Sequence, residues 1–405
     1  MPPLMKEKFM HKKITNTVTW TGKIDWELRR FHGDELSTHK GSSYNSYLIN
    51  DKKTVLIDTV WAPFDKEFVS NLKKVINLKK IDYIIANHGE VDHSGALPAL
   101  LREIPETPVY CTSNAIKSLR GQYHENWNFV PVKTGDTLEI GNNTLIFIEA
   151  PMLHWPDSMF TYMKGENILF SNDGFGQHLA CDSLFNDTAD ENEIMLESLK
   201  YYANILAPFS PQVTRKIKEL LGMNLPIEMI CPSHGIIWRT SPEKIIEKYL
   251  SWADSYQENQ ISIIYDTMWN STGKMAQAIA DGIRLKDPFV TLKLFNCSKT
   301  DKSDIVTEIF KSRAVIVGSP TVNNGYLYSI SGILELIKGL KLKNKKAVAF
   351  GSYGWSGESV KLINQELSQA GFLVVDDGFR TIWTPDEEIV EKLREFGKTL
   401  AEKLQ

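Results

Sequence analysis

Four side chains that commonly bind metal ions are crowded into six consecutive positions, within the segment ANHGEVDHSGAL. His88, Glu90, Asp92 and His93 follow the apolar run IDYIIA, which predicts a buried strand that ends just before them. Because alternate side chains at a strand end can point into one cavity, this spacing predicts a metal site. The alternative is a solvated helix start that is capped by Asp92 or Ser94.

Three more candidate ligands follow other hydrophobic runs further along the chain. His154 comes after TLIFIEA, Asp173 follows the run ILFSN, and His234 follows IEMICPS. Imidazole and carboxylate groups are common protein ligands of divalent transition metals. Seven such residues at strand ends therefore predict one site that holds more than one metal ion.

The elements that must position these residues differ between the two parts of the chain. Up to about residue 250, short strand patterns alternate with amphipathic patterns such as FDKEFVSNLKKVIN and GALPALLREI, which predicts a layered α/β domain. From ISIIYD onward, five strand patterns alternate regularly with helical segments, which predicts a parallel, doubly wound sheet. We place the boundary in WADSYQENQ and predict domains at residues 1–254 and 255–405.

The motif HxExDH with later His, Asp and His residues resembles the metal-binding motif of the metallo-β-lactamase fold, which usually has histidine where Glu90 stands. Together with the doubly wound part, it makes nearly the whole chain similar to the flavodiiron proteins. The resemblance implies an N-terminal metallo-β-lactamase-like αββα sandwich, a C-terminal flavodoxin-like domain and two non-haem iron ions. It places His88, Glu90 and His154 on one iron, Asp92, His93 and His234 on the other, and Asp173 between them.

Two further implications concern the metal site. A carboxylate at position 90 suits iron, because it is a harder and anionic ligand compared with an imidazole. The resemblance also implies that His32, His178 and Tyr201 or Tyr202 line the substrate pocket, where they would orient ligands or donate protons. Ordinary core packing is the alternative for the two tyrosines.

Three strand-to-helix turns in the second part have the composition of a flavin site. The segment TMWNSTG offers hydroxyl groups, an amide and a helix N-terminus to a phosphate. SPTVNNG and SYGWSG lie at the carboxyl ends of two other strands and resemble the isoalloxazine-binding loops of the flavodiiron proteins. A single phosphate loop favours FMN as the cofactor, and a domain without a nucleotide is the alternative. The predicted contacts are Thr267, Met268, Trp269, Asn270, Ser271, Thr272, Pro320, Thr321, Val322, Asn323, Asn324, Gly325, Ser352, Tyr353, Gly354, Trp355, Ser356 and Gly357.

Composition and charge limit the class of protein and its location in the cell. A net charge of −4 with 42% hydrophobic and 24% charged residues is typical of a globular protein and argues against a nucleic-acid partner. No apolar run is long enough to cross a membrane, and the start MPPLMKEKFMHKK does not resemble a secretion signal. The four cysteines are scattered without a CxxC pair, so we expect a reducing, cytoplasmic location.

The resemblance to the flavodiiron proteins implies a cytoplasmic oxidoreductase that reduces O2 to water, NO to N2O, or both, with electrons relayed through FMN. FMN accepts two electrons and each iron one, which matches the four electrons that O2 requires. Two alternatives are a zinc hydrolase of the same fold, against which Glu90 argues, and a flavodoxin-type electron carrier, against which the seven ligands argue.

The expected partners follow from the same resemblance. It implies a head-to-tail homodimer, or a homotetramer built from two such dimers, in which the flavin of one subunit lies beside the iron pair of the other. No CxxC pair follows residue 380, so we expect a separate electron donor such as a rubredoxin or a reduced deazaflavin.

Overall fold

Residues 11–405 are described by the computed structural model and divide into two units. Among the described residues, the first unit comprises 11–29, Thr38–Tyr201 and Pro211–Leu250, and the second comprises Arg30–Ser37, Tyr202–Ser210 and Ser251–Gln405. The start of the predicted first domain, residues 1–10, lies outside the described residues. The boundary at residue 254 stays a prediction.

The elements up to residue 253 are mostly short strands. The strands are β1 (Lys12–Lys13), β2 (Val18–Trp20), β3 (Lys23–Asp25), β4 (Arg30–Phe31), β5 (Leu36–Ser37), β6 (Ser42–Tyr44), β7 (Tyr47–Asn50), β8 (Thr54–Ile57), β9 (Tyr83–Ile85), β10 (Val109–Thr112), β11 (Phe129–Val132), β12 (Thr137–Glu139), β13 (Thr144–Glu149), β14 (Met159–Lys164), β15 (Ile168–Asn172) and β16 (Met229–Pro232). The α-helices are α1 (Asp65–Val75), α2 (Val91–Ser94), α3 (Leu97–Glu103), α4 (Ser113–Tyr123), α5 (Glu191–Tyr201), α6 (Ser210–Gly222) and α7 (Glu243–Ala253). A π-helical turn spans Tyr202–Leu206, and 3₁₀ turns span Ala62–Phe64, Leu78–Lys80 and Ala207–Phe209.

Two mixed sheets form the core of the first unit. Their strand orders are β1-β2-β7-β8-β9-β10-β11 and β12-β13-β14-β15-β16. Ile57 and Ile85 from the first sheet share one buried cluster with Phe147 and Phe170 from the second. Because apolar side chains from the two sheets pack in one layer, with the helices in the connections, this unit is the predicted αββα sandwich. The expected fold is confirmed.

The second unit contains a parallel sheet. Its strands are β17 (Glu258–Tyr265), β18 (Thr291–Asn296), β19 (Ser312–Gly318), β20 (Lys346–Tyr353), β21 (Leu373–Val374) and β22 (Phe379–Ile382), and its helices are α8 (Ser271–Lys286), α9 (Lys302–Lys311), α10 (Tyr328–Leu340), α11 (Ser359–Gln369) and α12 (Glu387–Lys403). The strand order is β18-β17-β19-β20, and β21 and β22 both pair in parallel with β20. This is the flavodoxin-like order, with helices in the crossovers, and it confirms the predicted doubly wound sheet.

The strand ends determine where the candidate side chains lie. β9 ends just before His88, β15 ends at the residue before Asp173, and β16 ends just before His234. In the second unit, β17, β19 and β20 lead into the three predicted flavin turns. Among residues 11–405, no helix combines the length and the apolar character needed to span a membrane.

Candidate functional site

The seven predicted metal ligands lie together in the first unit, in two groups. His88, Glu90, His154 and Asp173 form the first group, and Asp92, His93 and His234 form the second. Within each group, one ligand atom of each residue lies within 4.8 Å of the others. In the first group Glu90 Oε2 is 3.2 Å from His88 Nε2 and 3.4 Å from His154 Nε2. In the second, Asp92 Oδ2 is 3.4 Å from His93 Nε2 and 3.0 Å from His234 Nε2.

The carboxylate of Asp173 faces both groups. Its Oδ2 lies 3.7 Å from His88 Nε2 and 3.6 Å from His154 Nε2. Its Oδ1 lies 3.0 Å from His93 Nε2 and 3.5 Å from His234 Nε2. One side chain therefore offers one oxygen to each group, which is the arrangement required of a ligand shared by two ions.

The contacts within the cluster fit metal coordination better than hydrogen bonding. Among the described residues, both oxygens of Asp173, Oδ1 of Asp92 and Nε2 of His93 are buried without a hydrogen-bond partner of acceptable geometry, although His93 Nε2 is only 3.0 Å from Asp173 Oδ1. Two ligands at about 2.1 Å from one ion are roughly 3.0–3.4 Å apart at octahedral to tetrahedral angles. Burial of several carboxylates is also unfavourable without cations. The cluster therefore fits two divalent cations.

Hydrogen bonds outside the cluster orient two of the histidines. His88 Nδ1 lies 2.9 Å from Asp157 Oδ1, and the Gly89 N–H donates to the other Asp157 oxygen at 3.1 Å. His234 Nδ1 donates to the Ser43 carbonyl at 2.7 Å. Because a carbonyl only accepts, the proton of His234 is on Nδ1, and the lone pair of Nε2 faces the cluster.

His88 and Asp157 shift each other's pKa in opposite directions. Burial lowers the pKa of His88, but hydrogen bonds to Asp157 and Glu90 outweigh it and leave that pKa well above its ordinary value. Burial raises the pKa of Asp157, and the hydrogen bond and charge of His88 more than offset this, so that the pKa of Asp157 is lowered. Sequence reasoning missed Asp157, which in HWPDS has the appearance of an ordinary turn residue.

Of the predicted pocket residues, Tyr201 and His178 lie beside the cluster. The Tyr201 ring centroid is 5.2 Å from that of His178 and 6.2 Å from that of His234. Burial and the nearby charge of Asp173 raise the pKa of Tyr201 well above its ordinary value. His178 is buried, with Nδ1 2.8 Å from Ser42 Oγ and its ring 4.9 Å from that of His234.

The other two predicted pocket residues belong to the second unit. The Tyr202 ring packs against Trp252 and Phe310, and its hydroxyl oxygen is 2.9 Å from Ser210 Oγ. These contacts match the core-packing alternative. His32 has a left-handed backbone, with φ of 52°, and its ring centroid is 4.3 Å from that of Phe31. A role in a substrate pocket stays a prediction for both residues.

A cavity of about 570 Å³ lies at the carboxyl ends of strands of the second unit. Its lining contains most of the predicted flavin contacts: Thr267, Met268, Trp269, Ser271, Pro320, Thr321, Val322, Asn323, Asn324, Ser352, Tyr353, Gly354, Trp355 and Ser356. Asn270, Thr272, Gly325 and Gly357 are not among the lining residues. Thr272 is fully buried, and its hydroxyl oxygen lies 3.1 Å from Oγ of Ser352, so it contacts a lining residue without lining the cavity itself. Trp383 and Thr384 also line the cavity and were not predicted.

The lining fits a ligand with a phosphate and a planar ring. The hydroxyl of Thr267 is buried and has no hydrogen-bond partner among the described residues. Helix α8 begins at Ser271 and has no acidic residue in its first turn, so its N-terminus favours an anion. Trp269 and Trp355 are 89% and 86% exposed at this cavity, and they offer aromatic faces to a planar ring.

Comparisons with known proteins agree with both units. A family described as ODP family beta lactamase matches residues 43–235, and the flavodoxin family matches residues 263–397. A protein of Aliivibrio fischeri named anaerobic nitric oxide reductase flavorubredoxin is 55% identical over 390 residues, which cover 96% of this chain and 78% of the relative. A protein of the same name from Escherichia coli O1:K1 is 52% identical over 390 residues, which cover 96% of this chain and 81% of that relative.

Two solved structures are similar over nearly their whole length. Rubredoxin oxygen:oxidoreductase from Desulfovibrio gigas has a TM-score of 0.94 and 39% identity, and 98% of each chain is covered. The flavodiiron protein from Giardia intestinalis has a TM-score of 0.93 and 34% identity, and 98% of this chain and 97% of that chain are covered.

The fold and the two sites define an oxidoreductase that combines a metallo-β-lactamase-like domain with a flavodoxin-like, flavin-binding domain. The chain belongs to the flavodiiron proteins.

Proposed function

We propose that the protein reduces nitric oxide to nitrous oxide at a diiron site, with O2 as a second substrate that is reduced to water. The nitric oxide reaction is 2 NO + 2 e⁻ + 2 H⁺ → N2O + H2O. The observation that carries this proposal is Asp173, whose two carboxylate oxygens face two separate groups of histidine and carboxylate ligands. The names of the relatives that are 52–55% identical support nitric oxide as the main substrate.

We assign the ligands as the geometry groups them. His88, Glu90 and His154 would hold one iron, Asp92, His93 and His234 would hold the other, and Asp173 would contact both. Bound iron would supply one-electron chemistry at positions open to a diatomic gas, and FMN in the cavity of the second unit would store two electrons and deliver them singly.

The residues around the cluster have distinct tasks in this proposal. Asp157 and the Ser43 carbonyl hold the rings of His88 and His234 so that Nε2 of each faces the cluster. The raised pKa of Tyr201 keeps its hydroxyl group protonated even above pH 10, the ordinary tyrosine pKa, so it can donate a hydrogen bond beside the cluster. His178 packs against both Tyr201 and His234 and would fix the position of both rings.

We further propose a cytoplasmic location, a rubredoxin-type electron donor and a head-to-tail homodimer. The names of the relatives support the donor, since they include a flavorubredoxin and a rubredoxin oxygen:oxidoreductase. The exposed Trp269 and Trp355 beside the flavin cavity support a partner surface there, because large exposed apolar groups are typical of interfaces. A purely monomeric active form in sedimentation experiments would contradict the dimer.

Anaerobic purification followed by metal, flavin and gas measurements tests the function. We expect about two irons and one FMN per chain, and consumption of NO by the reduced protein that is faster than that of O2. An Asp173→Asn variant should lose iron, whereas Asp182→Asn, at an exposed position of the same unit, should not. Zinc without iron would support the hydrolase instead, and intact cofactors with no gas consumption would support the electron carrier.

A further inference from the structure

The loop that follows β22 contacts two separate walls of the flavin cavity. Thr384 Oγ1 lies 3.0 Å from the hydroxyl of Ser271, the first residue of α8. The preceding residue, Trp383, lies against Gly354, where an added Cβ would be 2.9 Å from Cη2 and Cζ3 of the Trp383 ring. The Trp383 N–H also donates to the Tyr353 carbonyl at 2.7 Å. Two consecutive residues therefore link the predicted phosphate turn to the SYGWSG turn.

The chemistry of the hydroxyl pair suits an anion. Two hydroxyl groups carry two protons, and the hydrogen bond between Ser271 and Thr384 uses one of them. The other proton is available to an acceptor at the N-terminus of α8, and the buried, unpartnered hydroxyl of Thr267 lies in the same cavity wall. A phosphate group accepts several such bonds, whereas an apolar ring does not.

The backbone of the loop indicates a constrained position. Trp383 has a φ of 58°, in the left-handed region that side chains other than glycine rarely adopt. The close approach of its ring requires the glycine at position 354, since any larger residue there would meet the ring. Trp383 thus holds the turn that carries Tyr353 and Trp355.

We propose that Thr384 is a phosphate ligand of the flavin that acts together with Ser271, and that Trp383 is a positioning residue for the ring-binding turn. This inference rests on the proposed binding of FMN. It assigns to the loop after β22 a share in both the phosphate and the ring part of the site.

Binding of FMN and riboflavin to the full chain freed of flavin tests the two roles separately, because riboflavin lacks the phosphate. Quenching of flavin fluorescence gives both dissociation constants. We expect Thr384→Val to weaken FMN binding about tenfold and riboflavin binding by less than about twofold. Thr384→Ser should restore FMN binding, and Thr399→Val, at an exposed threonine of α12, should change neither constant.

Substitutions of Trp383 should affect the binding of FMN and riboflavin alike, unlike those of Thr384. Trp383→Ala should weaken the binding of both flavins by a similar factor, because the ring-binding turn is released and the phosphate contacts are not. Trp383→Phe should restore much of the affinity for both, since a smaller ring can still cover Gly354. A change in FMN binding alone would overturn the positioning role.

The outcomes separate this inference from the proposed function. If the unsubstituted chain binds neither flavin, the proposed function fails in its flavin part and the inference fails with it. If the chain binds FMN and Thr384→Val binds it equally well, only the inference fails. An equal loss of both flavins in Thr384→Val, with melting unchanged, would also overturn the phosphate role.

Discussion

Replacement of Asp157 by asparagine tests how the metal cluster is oriented. Asp157 is fully buried and accepts two hydrogen bonds, from the His88 ring at 2.9 Å and from the Gly89 N–H at 3.1 Å. An asparagine of the same shape has one oxygen and one NH2 group. If its oxygen faces Gly89, its NH2 group requires His88 to accept through Nδ1, which moves the proton of the ring to Nε2. If its oxygen faces His88, two N–H donors meet at Gly89.

Either arrangement weakens metal binding. The first removes the Nε2 lone pair from the cluster, and the second loses a buried hydrogen bond. A buried hydrogen bond to a charged group is worth about 1.5–3 kcal/mol, which corresponds to roughly 10–100-fold in affinity. The same range is typical when a group that orients a metal-binding histidine is removed. We therefore expect Asp157→Asn to lose iron at a chelator concentration roughly 10–100 times lower than the unsubstituted protein does.

The assay is iron content after dialysis against graded chelator, with thermal melting of the metal-free proteins as a check on folding. Asp182→Asn is the matched control, because it makes the same chemical change at an exposed position of the first unit. If Asp157→Asn retained iron within about threefold of the control while it folded normally, the orienting role of Asp157 would be refuted.

Substitutions of a buried lysine, of two glycines and of Tyr201 test the pH dependence of stability, the backbone requirements and the chemistry of the site. Burial lowers the pKa of Lys345 from 10.5 to about 7, so the unfolded chain binds one more proton between these values and stability rises with pH there. Lys345→Met should reduce the pH slope of the urea-unfolding free energy near pH 8.5 by about 1.4 kcal/mol per unit, and equal slopes would contradict the shift. Gly235→Ala should lower the free energy of unfolding by about 2 kcal/mol or more, because φ is 73° and an added Cβ would collide with Gln177. Gly121→Ala in α4 should instead raise the free energy of unfolding by about 0.5–1 kcal/mol, because an added Cβ there meets nothing within 4 Å. Equal stabilities of the two variants in calorimetry would refute this. Tyr201→Phe should slow NO consumption at least about tenfold with iron content unchanged, and loss of iron would indicate a structural role instead.

Most of the fold could be predicted because its strands are apolar and end abruptly. The runs before His88, Asp173 and His234 are buried strands, and their hydrophobic patterns are readable without tertiary information. β22 was missed because FRTI is short and half of its residues are polar, so neither length nor pattern distinguishes it from a turn. Its place in the sheet depends on pairing with β20, which local sequence does not encode.

The site was predictable in its ligands and much less so in the groups that support them. Asp157 contacts a histidine 69 residues earlier in the chain, and no spacing rule connects the two positions. The partner of His234 is a backbone carbonyl, which every residue has. Tyr201 and Tyr202 are adjacent and both buried, so only the direction of each side chain distinguishes the one beside His234.

The contact between Trp383 and Gly354 has a consequence for how this chain can change during evolution. A substitution at position 354 alone brings a new side chain against the indole ring, whereas the same substitution after a smaller residue has replaced Trp383 is relieved of the two closest contacts, both at 2.9 Å. The two positions should therefore be epistatic, and the order of substitution should decide which variants are viable. A double-mutant cycle with Gly354→Ala and Trp383→Phe should show that alanine is better tolerated in the phenylalanine background.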